Sequence, residues 1–250
     1  MNNDPLLLTG MFGTVCKSTM VRALNVLLCE QPLPDPVPAD FLAELAMAAD
    51  RTKIGMFFEG ERCLSDTIQA TYAGMFPRPL LSLNQMAALD LITEVVGIEN
   101  EPDDTLHAQR VSQFNALPGP AHKGIERTTC KPAFFDTLFG QHRILADILR
   151  PALGRSMIDF DRGIALARAG QVAVALKQYK QQRGEYPADL EALTPDYLRD
   201  VPADPFTGGP LTYRREGSGF VVYSVGSDGR DDGGKGVDGQ NKDLGLCIVS

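Results

Sequence analysis

Between Ser156 and Arg183, the residues Ile164, Ala165, Ala169, Val172, Leu176 and Tyr179 recur at steps of three and four. That spacing places six apolar side chains along one face of a single helix. Gly184 closes the run, and glycine is a natural residue just past a helix end because it enters the left-handed conformation without a Cβ clash. A helix with one apolar stripe needs a surface to cover it, and the following residues supply one. Tyr186-Pro187 forces an extended turn. A short helix is expected over Asp189–Leu193, and Pro202 and Pro205 keep the next stretch non-helical. Leu211–Arg215 and Phe220–Ser224 are rich in aromatic and β-branched residues, with Glu216-Gly217-Ser218-Gly219 between them as a hairpin connection. A Gly/Asp-rich loop starts at Gly226, and Leu244–Val249 reads as a closing strand. Residues 156–250 are therefore expected to form one long helix packed on a small antiparallel sheet.

The preceding 155 residues carry helical periodicity and no convincing strand. Leu6–Cys29 reads as a helix that stops at the proline-rich stretch Gln31–Pro38. Pro38 and Ala39 start a second helix with Phe41, Leu42, Leu45 and Met47 as its apolar residues. Asp50 is placed to cap a third, through Ile54, Phe57, Phe58, Cys63, Leu64, Ile68 and Tyr72. Ser82 is placed to cap a fourth, with Met86, Leu89, Leu91, Ile92 and Val95 facing inward, and Pro132–Leu149 reads as another amphipathic helix. The expected whole is α+β, with a helical region over 1–155 and the helix-on-sheet domain over 156–250.

Composition narrows the function. With 24 basic against 32 acidic residues, the net charge is −8, and no basic stripe offers itself to a phosphate backbone. Nucleic acid is not an expected partner; protein partners are. Five cysteines lie at scattered positions with no CxxC, which argues against a disulfide framework and a structural zinc site. The most apolar early stretch, Leu6–Val15, stops at Lys17 and falls short of the roughly 20 apolar residues that a membrane helix needs. Contact with a membrane is therefore expected only through an anchor upstream of Met1. The cell envelope is the expected location if that anchor exists, and the cytoplasm if it does not.

The loop Gly226-Ser227-Asp228-Gly229-Arg230-Asp231-Asp232-Gly233-Gly234-Lys235-Gly236-Val237-Asp238-Gly239-Gln240-Asn241-Lys242-Asp243 carries the most suggestive chemistry. Calcium takes six to eight oxygens from carboxylates, carbonyls and water, at roughly 2.3–2.6 Å. Clustered aspartates supply charge, and interleaved glycines let backbone carbonyls turn inward. The candidate ligands are Asp228, Asp238, Asp231, Asp232 and Asp243. The loop is not an EF-hand, because Arg230 stands where an acidic or amide ligand is required. By their spacing alone, these residues fit a solvated acidic turn held open by its glycines better than a calcium site.

Several segments together resemble a known family. They are Ala175-Leu176-Lys177-Gln178-Tyr179, Arg183-Gly184-Glu185-Tyr186-Pro187, Asp189-Leu190-Glu191-Ala192-Leu193, Val201-Pro202-Ala203-Asp204-Pro205-Phe206, the Tyr213 strand, and Val222-Tyr223-Ser224-Val225-Gly226-Ser227-Asp228-Gly229. In this order they are similar to the C-terminal domain of the major pseudopilin of type II secretion. The resemblance covers roughly residues 165 to 243. It implies a long helix on a small antiparallel sheet, a calcium ion in the loop after the Tyr-Ser strand, and a non-catalytic role in the cell envelope. Asp228 and Asp238 match the family's acidic positions, Gln240 stands where the family has a further aspartate, and Asp243 is a substitute for it. The family's filament-forming apolar segment is absent from its place here, where Asp159, Asp161, Arg162 and Arg168 interrupt the first turns of the helix. The region before it resembles the helical part of uncharacterised bacterial envelope proteins that carry this domain.

No enzyme constellation stands out. His107, His122 and His142 lack the spacing of a helical metal site and read as surface or capping residues. Asp159 and Asp161, two apart, do not share a helix face and read as favourable charges near a helix start. Glu59, Glu61 and Arg62 read as solvent-facing, and Cys63 as core. Gly208-Gly209 has no Lys-Ser/Thr pair after it and is not a phosphate loop. The expectation is a non-catalytic, secretion-associated envelope protein with a calcium-stabilised loop. The alternative is a soluble interaction adaptor whose helical region binds a protein partner, with no filament role.

Overall fold

The computed structural model describes residues 33–34, 36–51, 54–55, 57–59, 78–116, 144–234 and 243–248. The fold is α+β. Four helices are described: α1 (Ala39–Ala49), α2 (Arg78–Glu99), α3 (Asp104–Ala116) and α4 (Ile144–Arg183). A 3₁₀ turn at Glu191–Leu193 and strands β1 (Thr212–Glu216), β2 (Gly219–Ser224) and β3 (Leu244–Ile248) follow. The expected helix over 6–29, the part beyond residue 59 of the expected third helix (whose described residues 54–55 and 57–59 are helical), most of the one over 132–149, and His122, His142, Glu61, Arg62, Cys63 and Asp238 lie outside the described residues. No helix among the described residues is long and apolar enough to cross a membrane.

The described chain divides into two compact units. One holds Thr52–Asn100 and Arg110–Met157; the other holds Glu101–Gln109, Ile158–Ser250 and the described part of 33–51. In the first, Leu91, Ile92, Val95 and Ile98 form the buried face of α2, and Phe114 of α3 is buried under the Arg150 guanidinium, 4.6 Å from its ring centroid.

In the second unit, the hairpin turn is Gly217-Ser218, with Gly217 at φ +59°, and β2 is the central strand of the order β1-β2-β3. Both pairings are antiparallel: Tyr213 stands opposite Val222, and Val222 opposite Leu246. Alternation along β2 sends Phe220 and Val222 into one core with Val172, Leu176, Tyr186, Leu193, Leu246 and Ile248. Tyr186 meets Phe220 edge-on, with centroids 4.9 Å apart, a favoured arrangement of aromatic quadrupoles.

Three expectations about the helices change. Ser82 does not precede its helix but lies inside α2, Arg78–Glu99. The long helix does not begin near Ser156. It starts at Ile144 and runs through Pro151, which removes one i→i−4 hydrogen bond without ending the helix. Asp159 and Asp161 are therefore well inside it, far from the helix start. Nor is its buried surface a single stripe: Val172, Ala173, Val174, Ala175 and Leu176 are consecutive and all buried. The sheet covers part of this segment, and Val37, Leu45 and the half-buried Phe41 belong to the same core. A helix covered on all sides becomes apolar all round. On α1, Leu45 is buried as expected, but Leu42 and Met47 are 38% and 61% exposed.

Candidate functional site

The aspartate loop follows β2, and its described part, 226–234, comes to lie against the sheet face opposite the helix at Gly234. That face carries Val221 and Tyr223, paired with Cys247 and Gly245. Gly234 sits so close to it that a Cβ would lie 2.8 Å from Tyr223 Cε1 and 3.0 Å from Val221 Cγ1, and its φ is +65°. Glycine is required there on both counts.

Three polar links tie the loop down. The Tyr223 hydroxyl donates to Asp231 Oδ1 at 2.8 Å, the Gly234 amide donates to Asp243 Oδ2 at 2.9 Å, and Arg214 Nη2 donates to the Gly233 carbonyl at 3.3 Å. The loop also turns on its own side chains: Asp228 Oδ1 accepts from the Arg230 amide and Asp231 Oδ1 from the Gly233 amide, both aspartate turns that mimic a backbone turn. Hydrogen bonds from Tyr223 and Gly233 hold the Asp231 carboxyl below the usual carboxylate range. The Tyr223 phenol is pushed up to about 12, first by burial and then by the Asp231 bond.

The five candidate ligands are placed differently. Asp231 and Asp232 are exposed, Asp228 is half-buried, and Asp238 lies outside the described residues. Asp243 is 1% exposed. Its Oδ1 is buried with no hydrogen-bond partner among the described residues. A buried carboxyl oxygen in that state is a hard donor, the kind of ligand calcium takes. Among the described residues, no three His, Cys, Asp or Glu side chains converge. Among the described residues, the fit to calcium therefore stands on Asp243 alone.

One functional residue was missing from the sequence-derived set. Asp204 is 2% exposed. Its Oδ1 accepts from Ser224 Oγ at 2.8 Å and from the Phe206 amide at 2.9 Å, and its Oδ2 accepts from the Val225 amide at 3.1 Å. Ser224 Oγ in turn accepts from the Gly226 amide at 3.1 Å. Asp204 thus fixes the point where β2 becomes the loop. Its setting between Pro202 and Pro205 was visible only as a non-helical stretch; the partner segment lies 20 residues away. The reading of His107 and Asp161 as surface and helix-end groups also changes. Both are buried, with Nδ1 of His107 4.0 Å from Asp161 Oδ2. No protein-family model, curated protein or solved structure matches this chain.

Proposed function

We propose that this chain is a non-catalytic, secretion-associated envelope protein whose C-terminal unit is a pseudopilin-like module braced by calcium. The observation that carries the reading is Asp243, a buried carboxylate with one oxygen left open beneath an aspartate-rich loop. The helix-on-sheet order and the loop's position on the outer sheet face support it. Asp243, Asp228 and Asp238 would hold the ion, with Asp231 and Asp232 supplying further negative charge. When bound, calcium supplies charge neutralisation to a loop of like charges. The chain's own residues do the rest: Asp204 and Ser224 set the loop's departure, and Tyr223 and Gly234 seat it on the sheet.

Because the ion binds the folded loop alone, it stabilises the fold by mass action, about 2.7 kcal/mol at a hundredfold excess over its dissociation constant. Thermal melting of the full chain is expected to shift upward in calcium relative to chelator. Asp228→Ala and the isosteric Asp243→Asn are expected to abolish that shift. Superimposable melting curves with calcium and with chelator would remove the calcium reading. Fractionation of cells producing the protein is expected to recover it with the envelope, and recovery wholly in the cytosol removes the envelope role.

A further inference from the structure

Helix α1 presents apolar side chains to two sides. Inward, Leu45 and the half-buried Phe41 join the core of the unit that holds the sheet, and Ala48 and Ala49 pack with Ala167 of α4. Outward, Leu42 and Met47 are 38% and 61% exposed, and Ala39, Ala43 and Ala46 are exposed with them. At about 100° per residue, Leu42, Ala46, Ala39, Ala43 and Met47 follow one another around an arc of about 140°. Of the three large apolar side chains exposed among the described residues, two stand on this one helix. The inward side already serves the chain's own core, so that core does not explain the outward one.

The charges decide what this face accepts. Asp40 and Glu44 are exposed and border the arc on the Met47 side, four residues apart and so on one edge of the helix. No lysine, arginine or histidine lies on α1. Arg51, just past its end, is buried and paired inward with Asp104, Nη1 to Oδ1 at 2.7 Å. The face is therefore apolar with an acidic border on one side, and its complement is an apolar stripe with a basic border. A second copy of α1 brings the same carboxylates and no cation, and an anionic membrane surface repels them. The helix is also held at both ends. The Gln181 side-chain amide donates to the Leu33 carbonyl at 2.9 Å, Val37 is buried, and Arg51 fastens the far end. A helix already in place loses little conformational freedom on binding.

We propose that the outer face of α1 docks an amphipathic helix of a partner protein whose apolar stripe is bordered by lysine or arginine. Leu42 and Met47 are the apolar anchors. The alanines between them let the two helix axes approach closely, since the distance between packed helices is set by the side chains at the contact. Asp40 and Glu44 fix the orientation of the partner through its basic border and speed its encounter. The surface is independent of the calcium loop.

The test uses the full chain and a matched pair of synthetic amphipathic helices, one of leucine and lysine, the other with glutamate in place of lysine. Binding is read by fluorescence anisotropy of the labelled peptide. The leucine–lysine helix is expected to bind the wild type, and the leucine–glutamate helix to bind about tenfold more weakly or less. Leu42→Glu combined with Met47→Glu adds negative charge to a chain of net charge −8, so attraction by net charge alone would strengthen. The expected result is instead a loss of about tenfold or more. Asp40→Lys combined with Glu44→Lys keeps the apolar anchors and is expected to lose as much. These side chains are exposed, and unchanged thermal melting shows that the variants fold. Amide chemical shifts of the wild type place the bound peptide without any variant, and they are expected to move along α1. Absent binding, equal affinity for the two peptides, affinity kept in Leu42→Glu/Met47→Glu, or shifts that spare α1 overturns the proposal. Sedimentation showing a dimer that Met47→Glu dissolves gives the face to a second copy and overturns it too.

Discussion

The Tyr213 hydroxyl donates a 2.8 Å hydrogen bond to the Pro187 carbonyl, so edge strand β1 is fastened to the turn that follows α4. Its phenol is pushed up to about 12, chiefly by burial, with Arg215 pulling the other way. Tyr213→Phe keeps the ring and removes the bond, for an expected loss of about 0.5–1.5 kcal/mol in urea unfolding. The pH dependence has a definite sign. A phenol ionises in the unfolded chain near its ordinary 10 and in the fold near 12, so stability is whole below pH 10 and declines as pH rises between these values. The Phe variant is expected to decline less over that interval, and identical alkaline slopes would count against the burial of this hydroxyl.

Asp204 is the next place where one side chain governs two segments. Asp204→Ala leaves the Ser224 hydroxyl and the Phe206 and Val225 amides without their acceptor. Buried donors left unsatisfied cost about 1–3 kcal/mol each before relaxation, so a total loss of about 2–4 kcal/mol is expected. Asp204→Asn retains one acceptor oxygen but turns an amide toward a donor, and an intermediate loss is expected. Urea midpoints separate the three proteins. A change below about 0.5 kcal/mol in the alanine variant contradicts the role given to this carboxylate.

Gly245 tests the sheet itself. A Cβ there would collide with the Val222 carbonyl and the Tyr223 backbone on the neighbouring strand. Gly245→Ala is expected to destabilise by about 1–3 kcal/mol, the usual range for overpacking, and to raise amide exchange along β3. Gly97, inside α2, has no atom within 4 Å of the same added group. Gly97→Ala is expected to stabilise by about 0.5–1 kcal/mol through helix propensity. Equal effects at the two sites would place β3 elsewhere.

Local features carried much of this architecture. Steps of three and four from Ile164 to Tyr179 marked the helix, and Gly184 its end. The Glu216–Gly219 connection marked the hairpin, seen between Thr212–Glu216 and Gly219–Ser224. The expected break between a helix ending at Leu149 and one beginning near Ser156 is not there, because the surrounding turns hold one helix from Ile144 through Pro151. Among the candidate ligands, spacing could gather five aspartates but could not rank them. That Asp243 is buried and Asp232 exposed depends on packing against the sheet, which spacing does not show.

What the chain determines by itself is therefore what neighbours within a few residues determine: helical periodicity, the hairpin, the charge of the loop, and with them the α+β class. The tertiary structure alone decides that Arg51 lies between Asp104 and Asp161, that Asp204 meets Ser224, and that α4 is buried on every side between Val172 and Leu176. Those relations join residues 20 to 110 positions apart. Their energies come from desolvation and close contact, which exist only after the chain has brought distant segments together.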